Sequence, residues 1–138
     1  MKRKLLEVMC RYADYIDTVF GPEPEKMKGY CGHEEIELAL VKLYKATGNE
    51  KYLTLSKYFI DERGKQPNYL EMEWEKRGQT SHWSEGKTKK PDLEYHQAHV
   101  PVREQSTAVG HAVRAVYLYS GMADIAAETG DKELLEAC

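Results

Sequence analysis

Between Lys2 and Phe20 the apolar positions Leu5, Leu6, Met9, Tyr12, Ala13, Ile16, Val19 and Phe20 recur at intervals of three and four, which predicts an amphipathic helix. Gly21, Pro22 and Pro24 end it, because proline lacks an amide donor and restricts the residue before it. A second helix is predicted over 34–46, with Ile36, Leu40, Leu43 and Tyr44 on one face. Leu38, Ala39 and Val41 widen that apolar arc, so contacts on more than one side are expected. Thr47, Gly48 and Asn49 turn the chain into a third helix over 50–63, burying Tyr52, Leu55, Ser56, Phe59 and Ile60, and Gly64 closes it as a left-handed cap. The two helices read as an αα-hairpin.

Over 65–101 the periodicity weakens. A short helix is predicted at 69–76, followed by the polar stretch GQTSHWSEGKTKKPD, read as a long surface loop of the kind that forms lids and rims. A long helix is predicted over 103–129, apolar at Ala108, Val109, Ala112, Val113, Val116, Tyr117, Tyr119, Met122, Ala123, Ile125 and Ala126. Its small residues permit close approach of a neighbouring helix. The segments 39–59 and 122–138 share the frame helix, Thr-Gly-Asn/Asp, helix, and such repetition of helical hairpins reads as an αα-repeat or an αα-toroid rather than an up-and-down bundle. The helical pattern of 132–137 is still running at Cys138, so a fragment of such a toroid is expected.

Composition changes this picture by exclusion. With 138 residues, 41% hydrophobic and 31% charged, the chain fits a packed soluble domain or part of one. A formal charge of -3 gives no electrostatic footprint for nucleic acid. Glu7, Arg11, Asp14 and Asp17 interrupt any secretion signal after MKRK, and no apolar run approaches the roughly 20 residues that would cross a bilayer. Cys10, Cys31 and Cys138 are odd in number and widely spaced, which points to reduced thiols in the cytoplasm.

Two glycine-histidine pairs are the leading candidates for chemistry: Gly32-His33 before the second helix and Gly110-His111 inside the long one. In each, the absent glycine side chain leaves room beside an imidazole able to donate and accept hydrogen bonds to a polyhydroxylated ligand. The alternative is a helix-start His33 and a satisfied buried His111. In YHQAHVPVREQ, His96 and His99 have the spacing of half a metal site, but Pro101 disfavours a helix there and no third ligand is near, leaving a structured loop that caps the long helix. Glu34, Glu35, Glu37, Glu71, Glu73 and Glu75 look like solvated helix faces, and no pair stands out as acid and base. Trp74, Trp83 and the tyrosines are stacking platforms for sugar rings or plain packing.

The blocks GYCGHEEIELALVKLYKATGNEKYLTLSKYFIDERG (29–64) and YHQAHVPVREQSTAVGHAVRAVYLYSGMADIAAETGD (95–131) resemble glycoside hydrolase family 127, the β-L-arabinofuranosidase family. The resemblance implies an all-α fold, helical hairpins forming part of an (α/α)6 barrel, with the sugar at the barrel mouth and 1–138 a partial catalytic domain. It places His33 and His111 against an arabinofuranose. It also implies retaining hydrolysis by a cysteine thiolate whose pKa is lowered by zinc. The nucleophile, the acid/base and the zinc ligands are expected outside this chain, so no catalytic residue and no cofactor are assigned within it. The expected partner is an arabinofuranoside-like carbohydrate. Self-association through uncovered apolar helix faces is also expected. A helical-repeat interaction module and a non-catalytic sugar-binding remnant are the other readings.

Overall fold

The computed structural model describes residues 2–81 and 83–138. Six α-helices carry the chain: α1 Lys2–Val19, α2 Ile36–Thr47, α3 Glu50–Glu62, α4 Tyr69–Lys76, α5 Ala112–Thr129 and α6 Lys132–Glu136. A two-stranded antiparallel sheet, β1 Thr80–Ser81 and β2 Ser84–Lys87, pairs Thr80 with Lys87 and Ser81 with Ser84. The molecule is therefore mostly helical, in line with the expected all-α class, and adds to it only this small hairpin. It arises where the surface loop was expected, and that stretch includes His82, which lies outside the described residues.

The α2–α3 hairpin is the middle layer. Leu40 packs with Tyr52, Leu55, Phe59, Tyr30 and Leu70 in one buried cluster. Its neighbour Val41 packs with Ile60, Leu118, Met122, Ile125 and Leu134 in another. The wide apolar arc of α2 is thus used on two sides, toward α4 and the end of α1, and toward α5 and α6. Gly121 of α5 faces Glu37 of α2, and a Cβ there would lie 3.0 Å from the Glu37 Cβ, so the small residue sets the close approach of the two helices.

The hairpin repeat is present in atomic detail. Thr47 and Thr129 each return their hydroxyl to the carbonyl four residues back at 2.7 Å. Gly48 and Gly130 follow in left-handed conformations, φ 72° and 70°, with amides donating to Tyr44 O and Ala126 O. Asn49 then caps α3 by accepting from the Lys51 amide, and Asp131 caps α6 by accepting from the Leu134 amide.

Two expectations differ. The apolar stripe of α1 is buried only toward its C-terminal half, where Ala13 enters the core and Ile16 and Phe20 pack against it. Leu5, Val8, Met9, Tyr12 and Tyr15 are exposed, and a groove of about 410 Å³ lined by Leu5, Leu6, Met9, Leu40, Leu43 and Ala46 separates α1 from α2. The long helix expected over 103–129 is broken. Val102–Glu104 forms a 3-10 turn, an irregular segment follows, and α5 starts only after His111. Gly110 is the reason: its φ is 75°, and a Cβ there would collide with Glu94 O, so the chain reverses where the loop of 94–97 lies against it.

Candidate functional site

A cleft of about 690 Å³ opens between the 30–36 segment, the 91–96 loop, the start of α5 and the β-hairpin. Cys31, Gly32, His33, His96 and Arg114 line one side of it, and Tyr69, Glu73, Arg77 and Trp83 line the other. Its volume falls within the roughly 300–1,000 Å³ range of small-molecule sites.

His33 is exposed and reaches the cleft from the turn before α2, with its ring edge-on to Tyr117 of α5 at 5.8 Å. His111 is not in the cleft wall. As the residue before α5 it meets Tyr95 edge-on at 5.3 Å, and Tyr95 meets His96 edge-on at 5.1 Å, which does line the cleft. Its buried Nδ1 has no partner among the described residues. The two glycines do not act as expected. A Cβ on Gly32 would meet open space, so that glycine is not needed to make room for His33; its carbonyl matters instead. Gly110 serves the backbone reversal and not the imidazole.

The Gly32 carbonyl accepts from Arg114 Nη1 and lies 3.0 Å from His96 Nδ1. Arg114 also approaches His96 Nδ1 at 3.1 Å and sits over the Tyr95 ring at 5.1 Å. Burial, then the positive charges of Arg114 and Arg63, hold the His96 imidazole below its ordinary range, outweighing the upward pull of Gly32 O. His96 is therefore neutral at pH 7, a polar but uncharged wall.

Beneath this wall lies Arg63, 0% exposed at the C-terminal end of α3. It donates to His96 O at 3.0 Å and to Cys31 O at 2.7 Å. Its guanidinium lies 2.9 Å from Glu34 Oε1 and 3.5 Å from Glu37 Oε1, and stacks over Tyr30 at 4.7 Å. One side chain thus ties together the two segments that carry His33 and His96. Burial pushes the Glu34 carboxyl above its ordinary range against the pull of Arg63. Burial, followed by the Glu37 charge, pushes the Cys31 thiol up to about 12, so it is a protonated thiol at neutral pH and a poor nucleophile.

Gln97 holds the second loop. It is buried with φ 48°, and its Nε2 donates to Val109 O at 2.8 Å, while Gln105 Nε2 donates to its backbone carbonyl at 2.9 Å. The segment 95–97 is in this way fastened to 109–111 as a structured loop, but the expected capping does not occur, since among the described residues no side chain caps the start of α5. His99 is half-buried and does not join His96 as a ligand pair; among the described residues no three His, Cys, Asp or Glu side chains converge to hold a metal ion.

The family profile described as "Beta-L-arabinofuranosidase, GH127 catalytic domain" matches residues 1–138. The chain belongs to that family. It is 45% identical over 131 residues to a non-reducing end β-L-arabinofuranosidase of Bifidobacterium longum subsp. longum, covering 95% of this chain and 20% of the relative. Among solved structures it resembles a GH127 β-L-arabinofuranosidase from Geobacillus stearothermophilus T6, with TM-score 0.88, 58% identity and coverage of 99% of this chain and 21% of that one. A second GH127 β-arabinofuranosidase matches with TM-score 0.75 and 44% identity over 98% of this chain and 18% of its own. The chain thus spans about a fifth of the length of these relatives, a fragment-sized part of a glycosidase catalytic domain. The family's substrate class is carbohydrate.

Sequence reasoning missed Arg63 and Arg114. Both had a signal: Arg63 follows Phe59 and Ile60 at i+4 and i+3 on the buried face of α3, and Arg114 stands one turn from His111.

Proposed function

We propose that this chain supplies part of the sugar-binding wall of an (α/α)6-barrel glycosidase acting on β-L-arabinofuranosides, with His33 facing the sugar and His111 behind the wall, where it supports Tyr95 and through it His96. The observation that carries the reading is the cleft that joins His33 to a neutral His96 and the Gly32 carbonyl within a chain of this family. An uncharged imidazole and fixed polar groups suit hydroxyls, which donate and accept with equal ease. The repeated Thr-Gly hairpins support the barrel, since each hairpin needs a neighbour to cover its outer face.

The chemistry of bond cleavage belongs to residues beyond these 138. With Cys31 protonated, the cleft binds and orients, and Cys31 offers it no thiolate. Its three unpaired cysteines support a reducing, cytoplasmic setting. Calorimetric titration of the chain with methyl β-L-arabinofuranoside tests the reading. Binding is expected, and it should weaken at least tenfold in a His33→Ala, His111→Ala double variant, the loss of a bit more than 1.4 kcal/mol of hydrogen bonding. Equal binding by the two proteins would sink it.

A further inference from the structure

We propose that Trp83, at the tip of the β-hairpin, is the stacking platform of an outer subsite that takes a second sugar ring. This rests on the sugar-binding reading of the inner cleft. Trp83 is 94% exposed, yet it lines the same cleft as His33 and His96. An indole left in water forgoes the large gain of burying its rings, so its placement on a ligand cleft asks for an occupant.

The hairpin is built to hold it there. Gly78 and Gln79 take consecutive positive φ values, 73° and 65°, and turn the chain out of α4. The Gln79 amide returns to Trp74 O at 2.9 Å, and the Thr88 amide closes the base of the hairpin on Gln79 O at 2.8 Å. Trp74 donates its indole N–H to Thr88 Oγ1 at 3.0 Å, so one tryptophan anchors the hairpin and the other is left free at its tip. Ser81 Oγ accepts from the Trp83 amide at 3.1 Å and fixes the turn itself.

The surroundings select a sugar over a protein. β2, Ser84–Lys87, is polar and exposed throughout, so the strand beside Trp83 adds no apolar surface of its own. The same side of the cleft carries Glu73 and Arg77, 3.5 Å apart, beside Tyr69. A sugar ring has an apolar C–H face for the indole and a rim of hydroxyls for such charged neighbours. Tyr69 in turn meets Tyr30 at 5.5 Å, which links the outer side of the cleft to the residues that carry the inner one.

The test compares two ligands in the intact 138-residue chain by calorimetry: methyl β-L-arabinofuranoside, and the methyl glycoside of a disaccharide that ends in the same sugar. The disaccharide is expected to bind roughly three- to tenfold more tightly, the usual worth of one aromatic contact. Trp83→Ala should bring that ratio close to one, Trp83→Phe should keep most of it, and Glu85→Ala on the same hairpin should leave it as in the wild type. A ratio that Trp83→Ala does not change, with the single sugar still bound, would overturn the outer subsite and leave the inner one standing. A chain that binds neither ligand would overturn the inner site and this inference with it.

Discussion

Arg63 holds the site together from below, and its burial makes that role measurable. Two carbonyls, two carboxylates and one aromatic face meet a single guanidinium from which water is excluded. Replacing it with Met would strand Glu34 and Glu37 and leave the Cys31 and His96 carbonyls without donors, a loss of about 3–5 kcal/mol by the usual cost of breaking a buried ion pair. Urea denaturation of Arg63→Met should show that loss, and Arg63→Lys should recover only a part, because an ammonium cannot fork between two segments. Full recovery by lysine would mean that charge alone matters. The candidate site was legible in the sequence to the extent that chemistry is local: His33 and His96 could be picked by residue type. What joins them was only hinted at, by the place of Arg63 on the buried face of α3. Arg63 acts across 33 residues of chain on His96 and 32 on Cys31, and its value lies in tertiary contacts that no spacing rule encodes.

At the scale of elements, periodicity located the helices well and failed where one residue overrode it. The bounds of α3 and α4 follow from their apolar spacing and Asn caps. The stretch before α5 looks helical in composition, but Gly110 can adopt φ 75° at no steric cost and the 94–97 loop fills the space beside it, so backbone conformation defeats pattern. The β-hairpin was hidden for another reason: its strands are short and polar, and neither alternation nor β-branching marks them.

The repeated caps allow a matched comparison. Asn49→Ala should cost about 1 kcal/mol, the ordinary worth of an N-cap. Asp131→Ala should cost more, because Asp131 caps α6 and also receives Arg103 at 2.7 Å and 3.0 Å, while Arg103 reaches Asp61 of α3. The Arg103 hydrogen bond, then the Leu134 amide, hold the Asp131 carboxyl well below its ordinary value of 3.8. A carboxyl depressed in the folded state contributes stability that is present above pH 3.8 and drains away as pH falls below it, since the unfolded chain takes up the proton first. The gap between wild type and Asp131→Ala should therefore narrow on acidification through that range, whereas the gap for Asn49→Ala should not. Equal costs for the two alanine variants at pH 7 would show that Arg103 adds nothing to the cap.

On the scale of the molecule, the layers run from α1 through the α2–α3 hairpin to α5 and α6, and apolar side chains stand uncovered at both ends of the array. Leu5 on α1 is 65% exposed and Val116 on α5 is 63% exposed, each among apolar neighbours: Val8, Met9 and Tyr12 on one, Val113 and Tyr117 on the other. Such faces are what adjacent hairpins cover in an αα-toroid, and relatives about five times longer have the chain to supply them. In the 138-residue chain by itself the same faces have water or one another, and contiguous apolar surface in water favours association. Sedimentation velocity should accordingly show mass rising with concentration. Leu5→Glu together with Val116→Glu should lower the association without lowering the unfolding midpoint by more than about 1 kcal/mol equivalent, since exposed substitutions away from caps and ion pairs cost little. A chain that stays monomeric across the concentration series would mean that α1 closes its groove on α2 unaided, and that the hairpin array is complete without neighbours.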